Sequence, residues 1–97
     1  MAGLAPSSGT DWTDHERGEI RRLEALCRNL GNWELESKRT DTGDPWCVVH
    51  DPRRDIVVLH IARIDRRYVV DWPARQRSVT VATIEAAIDI ALSEPIA

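Results

Sequence analysis

Four residues in the middle of this chain have side chains with chemical capacity: Cys47, His50, His60 and Asp71. Thiolate, imidazole and carboxylate are ligand types that zinc accepts. A cysteine with a histidine and an acid nearby is also the minimum set for an activated thiol. Spacing argues against both. Cys47 and His50 lie in WCVVH, an apolar run that reads as a strand, so their side chains point to opposite faces. His50, His60 and Asp71 share a face, but His50 is displaced along the sheet from His60, whereas structural metal sites show tight paired spacing. The same alternation separates Cys47 from His60, and a buried cysteine is ordinarily an inert packing residue. The five glycines, Gly3, Gly9, Gly18, Gly31 and Gly43, are too scattered to build a phosphate loop. The chain has no nucleophile elbow and no metal-binding helix motif. The expectation is a protein that is not an enzyme and uses no metal or cofactor. His60 is then a packing or interface histidine, hydrogen-bonded to Asp71 or to backbone.

Arginine supplies the other chemistry. Residues 38–77 carry nine basic and six acidic side chains, and every basic one except Lys38 is Arg. Arg53 and Arg54, Arg66 and Arg67, and Arg75 and Arg77 fall in turns. Alternate turns of a meander emerge at the same end. That gathers Arg53, Arg54, Arg75 and Arg77 into a cluster able to hold phosphates. Asp51, Asp55 and Asp71 offset this charge. The net charge of −3 argues against bulk attraction to nucleic acid or an anionic membrane.

These residues need a scaffold. A chain of 97 residues, 42% hydrophobic and 30% charged, reads as one globular domain. Residues 1–10 read as a mobile tail and residues 11–97 as the domain. Two cysteines make no disulfide framework, no apolar run approaches a membrane span, and MAGLAPSSGT lacks a basic start; a cytoplasmic location is expected. Thr13 and Glu16 fit a capping box at the head of a helix. Ile20, Leu23, Leu26, Cys27 and Leu30 form its apolar stripe, and Gly31 stops it. WELESKRT alternates as a half-buried edge strand, and DTGDP turns the chain. WCVVH, IVVLHIARI and YVVDW follow as strands joined by DPRRD and by a two-residue turn at Asp65 and Arg66. ARQRS reads as a basic loop. VTVATIEAAIDIALSE reads as the last helix, capped by Thr80, with Pro95 beyond it. The fold class is therefore α+β, a four-stranded antiparallel meander flanked by N- and C-terminal helices.

The helix–strands–helix order resembles that of the double-stranded-RNA-binding domain. That family has three strands and a Lys-rich start to its last helix. This chain offers four, and TVATIEAAIDIAL carries acidic Glu85 and Asp89 instead, so no residue or function is carried over.

Turn lengths set the register. Val57, Leu59 and Ile61 share a face with Cys47, Val49, Tyr68, Val70 and Trp72, the expected core face. With Trp33, Leu35 and the helix stripes, including Ile84 and Ile88, they complete the expected core. Ile56, Val58, His60 and Ala62 share the other face with Trp46, Val48, His50, Val69 and Asp71, and His60 sits opposite Asp71. The central strand is apolar on both sides. Two helices on one face would leave the second as an apolar patch of the kind that marks interaction sites. The expected function is a small protein-binding or regulatory domain acting through its sheet face or helices, with Trp46, Val48, Val58, His60 and Asp71 at the interface. A homodimer is the simplest form of that contact. The alternative is a nucleic-acid-binding regulator using the arginine cluster.

Overall fold

The computed structural model describes residues 11–31, 33–39 and 44–93, with Leu30 and Arg39 as backbone only. The expected tail over residues 1–10, the turn at residues 41–43, the side chain of Leu30 and Pro95 lie outside the described residues.

Helix α1 spans Asp14–Leu30 and begins as its sequence dictates. The Thr13 hydroxyl accepts the Glu16 N–H at 3.1 Å, and Glu16 Oε1 accepts the Thr13 N–H at 2.7 Å, closing the capping box. Gly31 ends the helix at φ 76°, a conformation that costs glycine little, and its N–H returns to the carbonyls of Cys27 and Arg28. Five strands follow: β1 (Glu34–Arg39), β2 (Pro45–Asp51), β3 (Ile56–Ile64), β4 (Arg67–Trp72) and β5 (Arg77–Val81). Each pairs antiparallel with the next, in the order β1-β2-β3-β4-β5. Helix α2 (Ile84–Ser93) closes the described chain.

The fifth strand corrects the expected count of four. Ala74, Arg75 and Gln76 do form a connection, but Arg77 to Val81, expected as the end of that loop and the start of the last helix, are a strand. After Trp72 the chain makes a 3-10 turn, Pro73–Arg75, closed by Gln76 at φ 52°, and then runs back along β4. Val79, Thr80 and Val81 are consecutive β-branched residues, which fit a pleated edge better than a helical turn. Val79 and Val81 are half-buried and Thr80 between them is exposed, the period of a strand. The helix starts later, and Thr83 rather than Thr80 caps it: its hydroxyl accepts the Ala86 N–H at 3.1 Å.

One buried cluster joins Ile20, Leu23 and Cys27 of α1 with Ile84, Ala87, Ile88 and Ala91 of α2. On the sheet it includes Cys47, Val49, Leu59, Ile61, Val70 and Trp72. These sheet residues all belong to one face, so both helices lie on that face. Trp12, just before α1, joins the cluster at 3% exposure, an anchor that the periodicity of the helix does not reveal. Arg22–Asp89 at 2.9 Å and His15–Glu85 at 2.6 Å link the exposed flanks of the two helices.

The register of β3 on β4 is the expected one: Ile64 opposes Arg67 and His60 opposes Asp71 across the two-residue turn. On the β2 side it shifts between Val49 and His50. Val49 opposes Leu59, but His50 opposes Val57, which leaves Val58 as the extra residue of a bulge. The bulge reverses three expectations. Val58, expected on the open face, packs against the core, Val57 is paired with His50 on the open side, and Ile56, expected on the open face, opposes buried Asp51 on the other. Asp51 accounts for the turn that follows. It is 6% exposed, and its Oδ1 accepts the N–H groups of Arg53 at 3.0 Å and Arg54 at 3.4 Å. That shortens the connection to Pro52–Arg53–Arg54–Asp55, and Asp55 takes φ 55° to re-enter the strand.

Candidate functional site

With both helices on one face, the other face of the sheet is open among the described residues. Its pairing rows follow directly from the register. Lys38, Trp46, Ala62, Val69 and Thr80 form one row across all five strands. Glu36, Val48, His60, Asp71 and Ser78 form the next. Trp46, Ala62 and Val69 are half-buried, and Val48 is shielded by its neighbours to 7% exposure. Ile64, at the end of β3, is the most exposed large apolar side chain among the described residues, at 51%.

Polar and aromatic groups cross this face in sequence. The Lys38 ammonium lies 6.0 Å from the Trp46 ring centroid, within cation–π reach. The edge of Trp46 meets His60, with centroids 5.7 Å apart and planes at 60°, a T-shaped pair. His60 Nδ1 is 3.9 Å from Asp71 Oδ2. That distance is too long for a hydrogen bond and close enough for an ion pair once His60 is protonated. Trp46 and Ile64 stand on either side of small Ala62. Between them opens a shallow, mainly apolar groove of about 430 Å³, to which Pro45, His60 and Arg63 also contribute. The groove has the anatomy of a binding surface: aromatic and aliphatic walls with a few polar groups at the margin.

The arrangement offers little for covalent chemistry. Cys47 opposes Ile61 on the core face, away from His60. Burial pushes its thiol up to about 12 and that of Cys27 up to about 11, so neither supplies thiolate at neutral pH. Among the described residues no three His, Cys, Asp or Glu side chains converge in a manner suited to a metal ion.

Of the residues singled out from sequence, Trp46, Val48, His60 and Asp71 come together on the open face, and Val58 leaves it through the bulge. Arg53, Arg54, Arg75 and Arg77 are all exposed. The 3-10 turn follows β4 past the first residues of β3, so Arg75 emerges at the same end of the sheet as Arg53 and Arg54. Their charge is partly engaged: Arg54 Nε lies 3.6 Å from Asp51 Oδ2, and the Arg77 guanidinium stacks 5.3 Å above Trp72. Ala62 and Ile64, which shape the groove, were not among the residues singled out. Their parity with His60 places them on the same face, but groove formation depends on the small volume of Ala62 beside Trp46.

A buried polar cluster also went unanticipated. Glu16, 3% exposed, accepts from Arg63 Nη1 through Oε1 and from the Tyr68 hydroxyl through Oε2, both at 2.5 Å. Arg63 and Tyr68 oppose each other on β3 and β4, on the face under the helices. The Arg63 guanidinium also lies 5.9 Å from the Trp12 ring centroid. Burial pushes the Glu16 carboxyl up. The hydrogen bonds from Tyr68, Thr13 and Arg63 together outweigh burial and hold it below the usual carboxylate range. With every carboxylate oxygen engaged, the cluster serves to fasten α1 to the sheet.

No family model, curated protein or solved structure matches this chain.

Proposed function

We propose that this protein is a non-enzymatic binding domain whose working surface is the open face of its sheet, with another protein as partner. The observation that carries the reading is the placement of both helices on one face. It leaves Trp46, Ala62, Val69 and exposed Ile64 on the other, around an apolar groove. An aromatic anchor, aliphatic neighbours and a polar margin favour a protein surface over a polyanion. Free, buried Cys27 and Cys47 suit a reducing compartment, in keeping with a cytoplasmic site of action. Among the described residues no helix is long and apolar enough to cross a membrane.

The test is a photo-crosslinking side chain at exposed Lys38, beside Trp46 in the same row, with one at Arg28 on α1 as the control. A discrete protein adduct from position 38 alone, unchanged by nuclease and by salt, supports the reading. Matching adducts from both positions would defeat it.

A second reading, binding of nucleic acid, draws on Arg53, Arg54 and Arg75 at one end of the sheet. Phosphate contacts weaken steeply as salt rises. Replacing these three with Glu, while keeping Arg77 on Trp72, reverses the charge at that end of the sheet. Unchanged affinity for single- and double-stranded RNA and DNA after that reversal excludes this reading.

A further inference from the structure

The two edges of the sheet are built differently. Unpaired strand edges invite pairing with another chain, and proteins guard them with charge, proline or bulges. β1 is guarded: Glu34, Glu36 and Lys38 recur along it at every second position. β5 has none of these devices from Ser78 to Val81. It contains no charge and no proline there, and its ladder with β4 runs without a register shift. The one charge in the strand, Arg77, is drawn back over Trp72 of its own chain. No described strand pairs with the outer side of β5.

The strand is also complementary to itself. We propose that β5 pairs antiparallel with β5 of a second copy about a two-fold axis at Val79, joining two five-stranded sheets into one. That axis sets Val79 against the partner copy's Val79, and Ser78 against the partner copy's Thr80. The first is a β-branched pair on the helix-covered face. The second is a hydroxyl pair on the open face, and both are favourable cross-strand combinations. Val79 and Val81 are only half-buried in one chain and gain cover from the added strand. The neighbouring chain's backbone satisfies edge N–H and C=O groups that otherwise face water.

The edge suits a second copy better than the open face does. Stacking two open faces about an axis along β3 sets His60 over His60 and Asp71 over Val48. That arrangement places polar groups against like or apolar partners. Pairing at β5 leaves the open face free and extends it across both copies, so the edge contact and the proposed use of the face are independent.

Sedimentation of the full chain across a dilution series tests the pairing. The expected species has twice the 11.0 kDa of one chain. Ser78 and Thr80 are exposed, so changes there leave the monomer folded, which a thermal melt checks. The double variant S78K/T80K sets like charges against each other twice across the axis and should weaken the dimer at least tenfold. The variant S78K/T80E sets Lys against Glu at the same two places and should restore it. A wild-type chain that stays a monomer throughout overturns the proposal. So does a dimer indifferent to S78K/T80K, or one lost equally in both variants. Absence of an adduct from position 38 with the dimer intact would remove the open-face reading and leave the edge contact standing.

Discussion

Glu16 and Arg63 stand 47 positions apart in sequence, yet Glu16 Oε1 accepts from Arg63 Nη1 at 2.5 Å with both side chains largely out of solvent. The first turn of α1 is thereby fastened to β3, and Tyr68 adds a bond from β4. One carboxylate caps its own helix and ties that helix to two strands.

Removing Glu16 therefore does more than lose a cap. Glu16→Ala leaves Arg63 and Tyr68 without their acceptor and should lower stability by about 3 kcal/mol, the scale for breaking a buried ion pair. Tyr68→Phe removes one hydrogen bond to a charged group and should cost about 1.5 kcal/mol. Denaturant melts of the two variants check both values. Equal losses would mean that the Arg63 contact adds nothing.

The same cluster sets the pH limits. The Glu16 carboxyl is held below its ordinary value of 4.5, so its contribution is complete above that value and is lost as pH falls through the lower folded value. The Tyr68 hydroxyl is pushed from 10.0 up to about 12, first by burial and then by its bond to Glu16. Its contribution is complete below pH 10.0 and is lost as pH rises towards about 12. Stability against pH should therefore fall at both ends. Tyr68→Phe should flatten the alkaline fall and also weaken the acid one, because the Tyr68 hydroxyl is the largest of the bonds that hold the Glu16 carboxyl low. An alkaline fall that persists in Tyr68→Phe would assign it elsewhere.

The bulge in β3 gives a sharp contrast between neighbours. Val58→Asp places a charge against the core and should unfold the domain, or cost more than about 3 kcal/mol. Val57→Asp, one residue earlier and on the open side, should cost less than about 1 kcal/mol. Leu59→Ala, fully buried, should cost about 2–5 kcal/mol. A larger loss at position 57 than at position 58 would argue for an unbulged strand.

The turn between β3 and β4 holds Asp65 at φ 54° and Arg66 at φ 66°, the left-handed conformation at two consecutive non-glycine residues. A type I′ turn prefers Asn-Gly there. Arg66→Gly should raise stability by about 1 kcal/mol through relief of the side chain's steric cost, partly offset by greater freedom when unfolded. A lower melting temperature in this variant would show that Arg66 makes a stabilising contact at the hairpin tip.

Both thiols should be slow to react in the folded protein. At pH 8 Cys27 and Cys47 should resist iodoacetamide and react only on unfolding, because burial keeps them protonated and covered. Rapid alkylation under native conditions would expose a local opening between α1 and β2.

Much of this architecture follows from sequence alone. The capping pair Thr13 and Glu16, the stop at Gly31, the turn at Asp65 and Arg66 and the opposition of His60 to Asp71 are all local consequences. Each depends on a few neighbouring residues and on the two-residue period of a strand. What tertiary structure decided is of another kind. Val81, Ile84 and Ile88 fit a helical spacing as well as they fit a strand followed by a helix. Only a place beside β4 makes 77–81 the fifth strand. The bulge at Val58 shifts the phase of one strand against its neighbour, a choice made by the Asp51-anchored turn and invisible in the alternation of IVVLHIA. The union of Glu16 with Arg63 and Tyr68, and the groove between Trp46 and Ile64, join residues distant in sequence. Their geometry depends on how two helices share one face of a twisted sheet, because packing energy depends on shape in three dimensions and residue order supplies only its ingredients.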